Sequence, residues 1–216
     1  MAEITPYDPP GGPIPIVHED ADILVVDKPH GLLSVPGRGP HLADCLLTRL
    51  QAMRAEVLLC HRLDRDTSGI MVFALTKQAQ RAMGLLFEKR RVAKRYVARV
   101  DGVVSEAAGT VDLPLIVDWP NRPLQHVNWE RGKPAVTDWR REAVEGGTTR
   151  MRLMPRTGRS HQLRVHMREI GHPILGDPFY SQGWEAWPRM MLHAEGLKFE
   201  HPVQGRMLRL TAPCPF

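Results

Sequence analysis

The sequence predicts an α+β fold: a mixed, largely antiparallel β-sheet core with a few flanking helices. Three observations lead there. Short runs rich in Val, Ile, Leu and Thr recur along the chain, separated by Gly, Pro and Asp turns. Only three stretches repeat their apolar residues with helical spacing. No regular strand–helix–strand alternation links the two kinds of element, so a doubly wound parallel sheet is not expected.

Taken in order, residues 1–13 carry Pro6, Pro9, Pro10, Gly11, Gly12 and Pro13 and read as a flexible arm without regular structure. Residues 14–18 and 23–27 read as two short strands joined by a turn, and Lys28-Pro29-His30-Gly31 is a sharp turn. In residues 42–53 the apolar Ala43, Leu46, Leu47, Leu50 and Met53 recur at helical spacing. Residues 57–60 and 70–75 are apolar runs expected to be buried strands, with a polar loop, 61–69, between them. Thr76 suits the N-cap of a helix over 77–89 whose apolar face is Ala79, Met83, Leu86 and Phe87. Strands are expected at 95–104, 110–117 and 125–130, and a hairpin of 137–144 with 149–154 turns at Gly146-Gly147. Residues 160–170 form the last expected helix, with Gly171 placed to end it, and strands near 197–200 and 207–210 follow. No Pro/Gly/Ser-rich linker interrupts 14–216, so this segment is expected to be one domain.

The totals exclude several classes. With 43% apolar and 25% charged residues the chain is ordinary for a globular protein. No apolar run reaches membrane-span length, and the start lacks a basic stretch followed by an apolar one, so a cytoplasmic location is expected. Cys45, Cys60 and Cys214 are odd in number and widely spaced, which speaks against a disulfide framework or a cysteine zinc site. His161 and His166 stand five apart, roughly 140° around a helix, the wrong spacing for a zinc pair. No metal and no cofactor are expected, and a monomer is the default because no apolar stripe is left over.

Net charge is a modest +5. Its distribution is more informative. Lys89, Arg90, Arg91, Lys94, Arg95 and Arg99 form one block without an acid; Arg150, Arg152, Arg156, Arg159, Arg164 and Arg168 form another. Two such blocks read as an electropositive face able to hold phosphates.

The segment His61-Arg62-Leu63-Asp64-Arg65-Asp66-Thr67-Ser68-Gly69 sets three charges, Arg62, Asp64 and Arg65, in a loop pinned by two apolar strands. Composition alone would make it a solvated turn. As a motif it resembles the signature of the RluA family of pseudouridine synthases. Further matches follow in the family's order: Asp27-Lys28-Pro29 with Gly31–Gly37, then Lys94-Arg95-Tyr96-Val97-Ala98, Thr157–His166, Gly171–Asp177 and Leu192-His193-Ala194. Asp118–Pro123 and Gly132-Lys133-Pro134-Ala135 are similar to the short, single-domain branch, which implies that no separate N-terminal RNA-binding domain precedes the core.

The resemblance implies isomerisation of uridine to pseudouridine in structured RNA, with two kinds of target, 23S ribosomal RNA and the anticodon stem-loop of transfer RNA. The glycosidic bond to N1 breaks, the base turns, and C1′ joins C5, so no external group or cofactor is required. Asp64 becomes the catalytic carboxylate; whether it attacks C1′, attacks the ring or removes a sugar proton stays open. Arg164 becomes its ion-pair partner, although spacing alone would leave it on a solvated helix face. Tyr96, equally a core tyrosine by spacing, would lie under the uracil ring. Arg62 would fill the gap left by a flipped base, and Arg65, Lys94, Arg159 and His161 would join it in RNA binding and base flipping. Two other readings compete: a non-catalytic RNA-binding or rRNA-chaperone domain using the same basic face, and a metal-dependent nuclease, for which Asp64 and Asp66 are the only nearby carboxylates. The 181–189 segment, with Trp184 and Trp187, matches no motif and reads slightly better as packing than as an RNA-facing loop.

Overall fold

The computed structural model describes residues 7–216; the first part of the expected arm lies outside the described residues. The strands are β1 (Ile16–Glu19), β2 (Ile23–Lys28), β3 (Leu58–Leu59), β4 (Ser68–Ala74), β5 (Ala93–Asp101), β6 (Ala108–Asp112), β7 (Leu115–Val117), β8 (Gln125–Val127), β9 (Val136–Glu145), β10 (Thr148–Pro155), β11 (Leu192–Glu200) and β12 (Met207–Thr211). The helices are α1 (Leu46–Met53), α2 (Lys77–Glu88) and α3 (Gln162–Glu169), with 3-10 turns at Pro40–Leu42 and Trp184–Ala186. The class is the expected α+β. The described residues form two compact units, one of residues 7–94 and 194–215 and one of residues 95–193 with Phe216.

In the first unit the strands run in the order β1-β2-β4-β11, with β3 also on β4 and β12 on β11. Asp20 closes the β1–β2 turn, its Oδ1 accepting from the amides of Asp22 and Ile23 at 2.9 and 3.0 Å. β2 lies antiparallel to β4 from Ile23↔Ala74 to Lys28↔Gly69. Every residue of β4 is buried, which is why its sequence from Ile70 on is continuously apolar rather than alternating. Leu24, Val26, Leu32, Leu46, Leu50, Met71 and Phe73 form the core. Thr76 caps α2 as expected, accepting from the Ala79 amide at 3.1 Å. α1 starts later than its apolar pattern: Cys45 is extended, and its sulfur accepts from the Thr48 amide while the Thr48 hydroxyl accepts from the Cys45 amide. Residues 7–13 have no regular structure, yet the Tyr7 hydroxyl donates to the Asp44 carbonyl and Arg49 donates to the Pro10 carbonyl.

In the second unit the strands run β5-β10-β9-β6, all antiparallel. Gly146 and Gly147, at φ 56° and 76°, make the tight β9–β10 turn the sequence predicts. Ala98, Val100, Trp139, Met151, Leu153, Leu163, Met167 and Ile174 form its core. The single strand expected over 110–117 is two strands, because Pro114 has no amide to continue a ladder. β7 and β8 instead form a separate hairpin, Leu115↔Val127 to Val117↔Gln125. Trp187 packs against the core, in line with the packing reading of 181–189.

Candidate active site

The 61–69 loop is fixed from two sides within the first unit. Lys28, with no exposed surface, donates from Nζ to the carbonyls of Pro29, Leu32 and Arg65 at 2.9, 2.7 and 2.9 Å. The Gly31 amide donates to the same Arg65 carbonyl at 3.0 Å. Ser34 clamps Leu63: its hydroxyl donates to the Leu63 carbonyl at 2.6 Å and accepts from the Leu63 amide at 3.1 Å. The residues on either side of Asp64 are thereby held by the 28–34 turn, and the Thr67 amide donates to the Asp64 carbonyl at 3.2 Å. The half-buried Asp64 side chain thus stands on a backbone with little freedom.

The loop ends are equally constrained. His61 Nε2 accepts from the Val72 amide at 3.0 Å, and its ring lies 4.8 Å from that of Phe87. Burial, with help from the Lys94 cation, pushes its pKa down to about 3, so the imidazole is neutral at ordinary pH. Gly69 has φ 117°, and a Cβ there would stand 2.2 Å from the Ala194 carbonyl oxygen. Only glycine fits where β4 and β11 approach so closely.

The sequence-predicted binding residues of this unit differ in setting. Arg62 is exposed. The Arg65 guanidinium faces Asp66, donating to both carboxylate oxygens at 2.9 and 3.1 Å. Lys94 is half-buried; burial, then the nearby Arg90 cation, lowers its pKa to about 8. Lys89, Arg90 and Arg91 are exposed, and among the described residues no acid pairs with them.

In the second unit Tyr96 sits on β5 opposite Leu153, partly packed against the core. Arg164, on α3, is 2% exposed. Its Nε and Nη2 each donate to an oxygen of Asp177 at 2.6 Å, and Asp177 is wholly buried. Asp177 Oδ1 also accepts from the amides of Phe179 and Tyr180 at 2.9 and 3.3 Å. The guanidinium carbon lies 5.1 Å from the rings of both Phe179 and Tyr180. Arg164 is therefore a buried, pre-aimed fork rather than part of a solvated helix face.

His161 starts α3 in the left-handed conformation, φ 53°. Its ring stacks on Phe179, centroids 5.8 Å apart, and its Nδ1 lies 2.8 Å from the Tyr180 hydroxyl. The Gln125 amide donates to that hydroxyl at 2.8 Å, so Tyr180 bridges β8 and His161 through its phenol oxygen. Burial pushes the Tyr180 pKa up to about 12. Arg159 is half-buried and donates to the Pro134 carbonyl.

The second basic block is not the electropositive face its sequence implies. Arg150 and Arg152 pair with Glu142, Arg156 with Asp138, Arg164 with Asp177 and Arg168 with Glu169. Four of these five arginines find their acids on β9 or in the 177 turn, which a count along the chain misses. Of this block only Arg159 has a backbone carbonyl and no acid as its partner among the described residues. Sequence reasoning assigned no role to Lys28, Ser34, Asp177 or Tyr180, although the first three lie in matched motifs. The signal available was that a buried arginine requires a carboxylate.

One grouping has the spacing of metal ligands: Asp20, Asp22 and His201 have ligand atoms within 4.8 Å of one another. Asp20 Oδ2 accepts from His18 Nε2 and His201 Nε2 at 2.9 and 3.0 Å. His201 Nδ1 accepts from the amides of Val203 and Gln204, which places its proton on Nε2. Burial opposes the Asp20 charge, but the amides of Asp22 and Ile23 and the His18 ring outweigh it and lower the pKa to about 2. The grouping is a hydrogen-bonded clasp between the β1–β2 and β11–β12 turns.

Comparison with known proteins agrees with the motifs. The family model described as RNA pseudouridylate synthase matches residues 22–169. The dual-specificity RNA pseudouridine synthase RluA of Escherichia coli strain K12 is 50% identical over 216 residues, covering 97% of this chain and 98% of the relative. Its counterpart in Vibrio vulnificus is also 50% identical, covering 97% and 87%. Human RNA pseudouridylate synthase domain containing 1 superposes with a TM-score of 0.77 at 30% identity, covering 96% of this chain and 86% of that one. Human domain containing 4 gives 0.74 at 27%, covering 93% and 88%. The signature loop, the matched order of motifs, the fold and these likenesses together make the chain a member of the RNA pseudouridylate synthase family and an RNA pseudouridine synthase.

Proposed function

We propose that this enzyme isomerises uridines in two kinds of structured RNA, 23S ribosomal RNA and the anticodon stem-loop of transfer RNA, with Asp64, Tyr96 and Arg164 as its catalytic set. The dual specificity named for the relatives supports the pair of targets. The observation that carries the role of Asp64 is its backbone: Ser34 grips Leu63 and Lys28 grips Arg65, so the carboxylate between them is pre-positioned. Asp64 forms a temporary bond to the nucleotide, or takes the sugar proton, while C1′ leaves N1 and rejoins at C5; C5 gives up its proton to solvent, N1 takes one up, and the bond to Asp64 breaks or the sugar proton returns. Tyr96 supports the uracil ring. Arg164, aimed by Asp177, supplies a fixed positive charge.

The exposed Arg62 occupies the space of the flipped uridine, a long cation that stays solvated until RNA arrives. Arg65, Lys94, Arg159 and His161 serve RNA binding, with Arg65 also bracing the loop through Asp66. The reaction consumes no cofactor or metal, and the enzyme works as a monomer in the cytoplasm.

The test is tritium release from RNA labelled at uridine C5, with EDTA present. Wild type releases tritium from both RNA classes, and Asp64→Asn releases at least about 10³-fold more slowly. Release unaffected by Asp64→Asn removes the assigned role. Binding without release on every RNA favours the non-catalytic chaperone reading.

A further inference from the structure

The β7–β8 hairpin carries a feature that the reaction as described does not use. At its tip Trp119 is 66% exposed. The tip is nonetheless tightly built. The Asp118 amide donates to the Leu124 carbonyl at 2.9 Å, and the amides of Asn121 and Leu124 donate to Asp118 and Asn121 at 3.1 Å each. Asn121 Nδ2 donates to the Asp118 carboxylate at 3.0 Å. Arg122 folds back: its guanidinium carbon lies 4.1 Å from the centre of the Trp119 ring system, and Nε donates to the Trp119 carbonyl at 3.1 Å. Among the described residues no acid pairs with Arg122. A rigid loop thus presents an indole backed by a cation.

The hairpin is also joined to α3. Leu115, Ala135, Val165 and Tyr180 form a small core against which Leu124 and Val127 pack. The chain of bonds from the Gln125 amide through the Tyr180 hydroxyl to His161 ties β8 to the first turn of the helix that carries Arg164. The tip therefore keeps a fixed position relative to Arg164 within this unit.

We propose that Trp119 and Arg122 form a second base-stacking site, which holds an unpaired nucleobase of the RNA substrate other than the target uridine. The indole stacks on the base and the guanidinium faces the adjoining phosphate. The chemistry favours a nucleic acid over a protein partner: the tip is narrow, and Trp119 is flanked by Pro120, Asn121 and Arg122, all exposed, without a wide apolar surround. Such a site selects RNAs whose loop leaves a base splayed at the right distance, and it is a specificity site for the reaction. The proposal rests on the reading of this chain as acting on RNA.

The test compares wild type, Trp119→Ala and Trp119→Phe by fluorescence anisotropy with labelled stem-loop RNAs and by tritium release. A single abasic nucleotide is moved through the RNA loop. Trp119→Ala weakens binding and raises KM about 5- to 150-fold, the range for one stacked base, with kcat within about twofold. Trp119→Phe recovers most of the loss. One abasic position makes wild type and Trp119→Ala equal, identifying the stacked base. Equal affinity of wild type and Trp119→Ala on the intact loop overturns the proposal, as does a loss of the same size on every abasic RNA. Unchanged urea unfolding of Trp119→Ala shows that folding is not what moved. A wild type that binds but never releases tritium defeats the isomerase reading, and the binding comparison still judges the tip.

Discussion

Asp177→Asn is the substitution whose consequences can be worked furthest from the structure. It keeps the side-chain size and the turn, but turns a carboxylate into an amide in front of Arg164 Nε and Nη2, which now donate to it at 2.6 Å. The charge lost is wholly buried, and the guanidinium it faces is 2% exposed. Removing one partner of a buried pair costs about 3–5 kcal/mol, because a desolvated charge loses its compensation. That corresponds to roughly 150- to 5,000-fold in the unfolding equilibrium. In a chain of this size each kcal/mol moves Tm by about 2–4 °C, so a fall of roughly 6–20 °C is expected. Urea unfolding and calorimetry read the stability, and tritium release reads kcat. If Arg164 acts in catalysis only when Asp177 aims it, kcat falls at least about tenfold while RNA affinity changes little. The double variant Arg164→Met/Asp177→Leu should regain most of the stability, since an apolar pair avoids the desolvation, and none of the activity. Asp177→Asn within about 1 kcal/mol of wild type would refute the view of this pair as a buried electrostatic joint.

Two further expectations follow from the site. Lys94, with a pKa of about 8, is about 90% protonated at pH 7 and about 25% at pH 8.5, so its pull on RNA fades over a range where an ordinary lysine stays charged. RNA affinity of wild type should fall more steeply over that range than that of Lys94→Met; parallel slopes would deny Lys94 a role. The same lowered pKa means that the unfolded chain binds more protons between pH 8 and 10.5, so this lysine adds stability as pH rises through that window. Gly69→Ala should cost more than about 2 kcal/mol, since φ 117° and a Cβ 2.2 Å from the Ala194 carbonyl both oppose it. An unchanged urea midpoint would show that β4 and β11 do not meet so closely.

The elements that the sequence revealed best are those whose signal is local. β4 is legible as a continuous apolar run, α2 by its Thr76 cap and apolar face, and the β9–β10 hairpin by its glycine pair. Pro114 splits a strand that apolar content alone would join. The polar half of the site was less legible because its partners are distant in sequence. Lys28 reaches Arg65 across 37 residues and Ser34 reaches Leu63 across 29. Arg164 and Asp177 are separated by 13, with a loop between. The motif order marked these residues as belonging together, but only the fold shows what Lys28, Ser34 and Asp177 do. The basic block of 150–168 misled for the same reason: Glu142 and Asp138 come from the neighbouring strand.

The double grip on the 61–69 loop makes the loop untransferable by itself. Grafted into another scaffold, it would arrive without the ammonium that collects three carbonyls and without the hydroxyl that clamps Leu63. Segments 28–34 and 61–69 form one heritable unit, although more than 25 residues of chain lie between them. Anyone redesigning the enzyme for new RNAs is steered away from this unit. The changes belong on parts that can vary without loosening the carboxylate, such as the exposed β7–β8 tip.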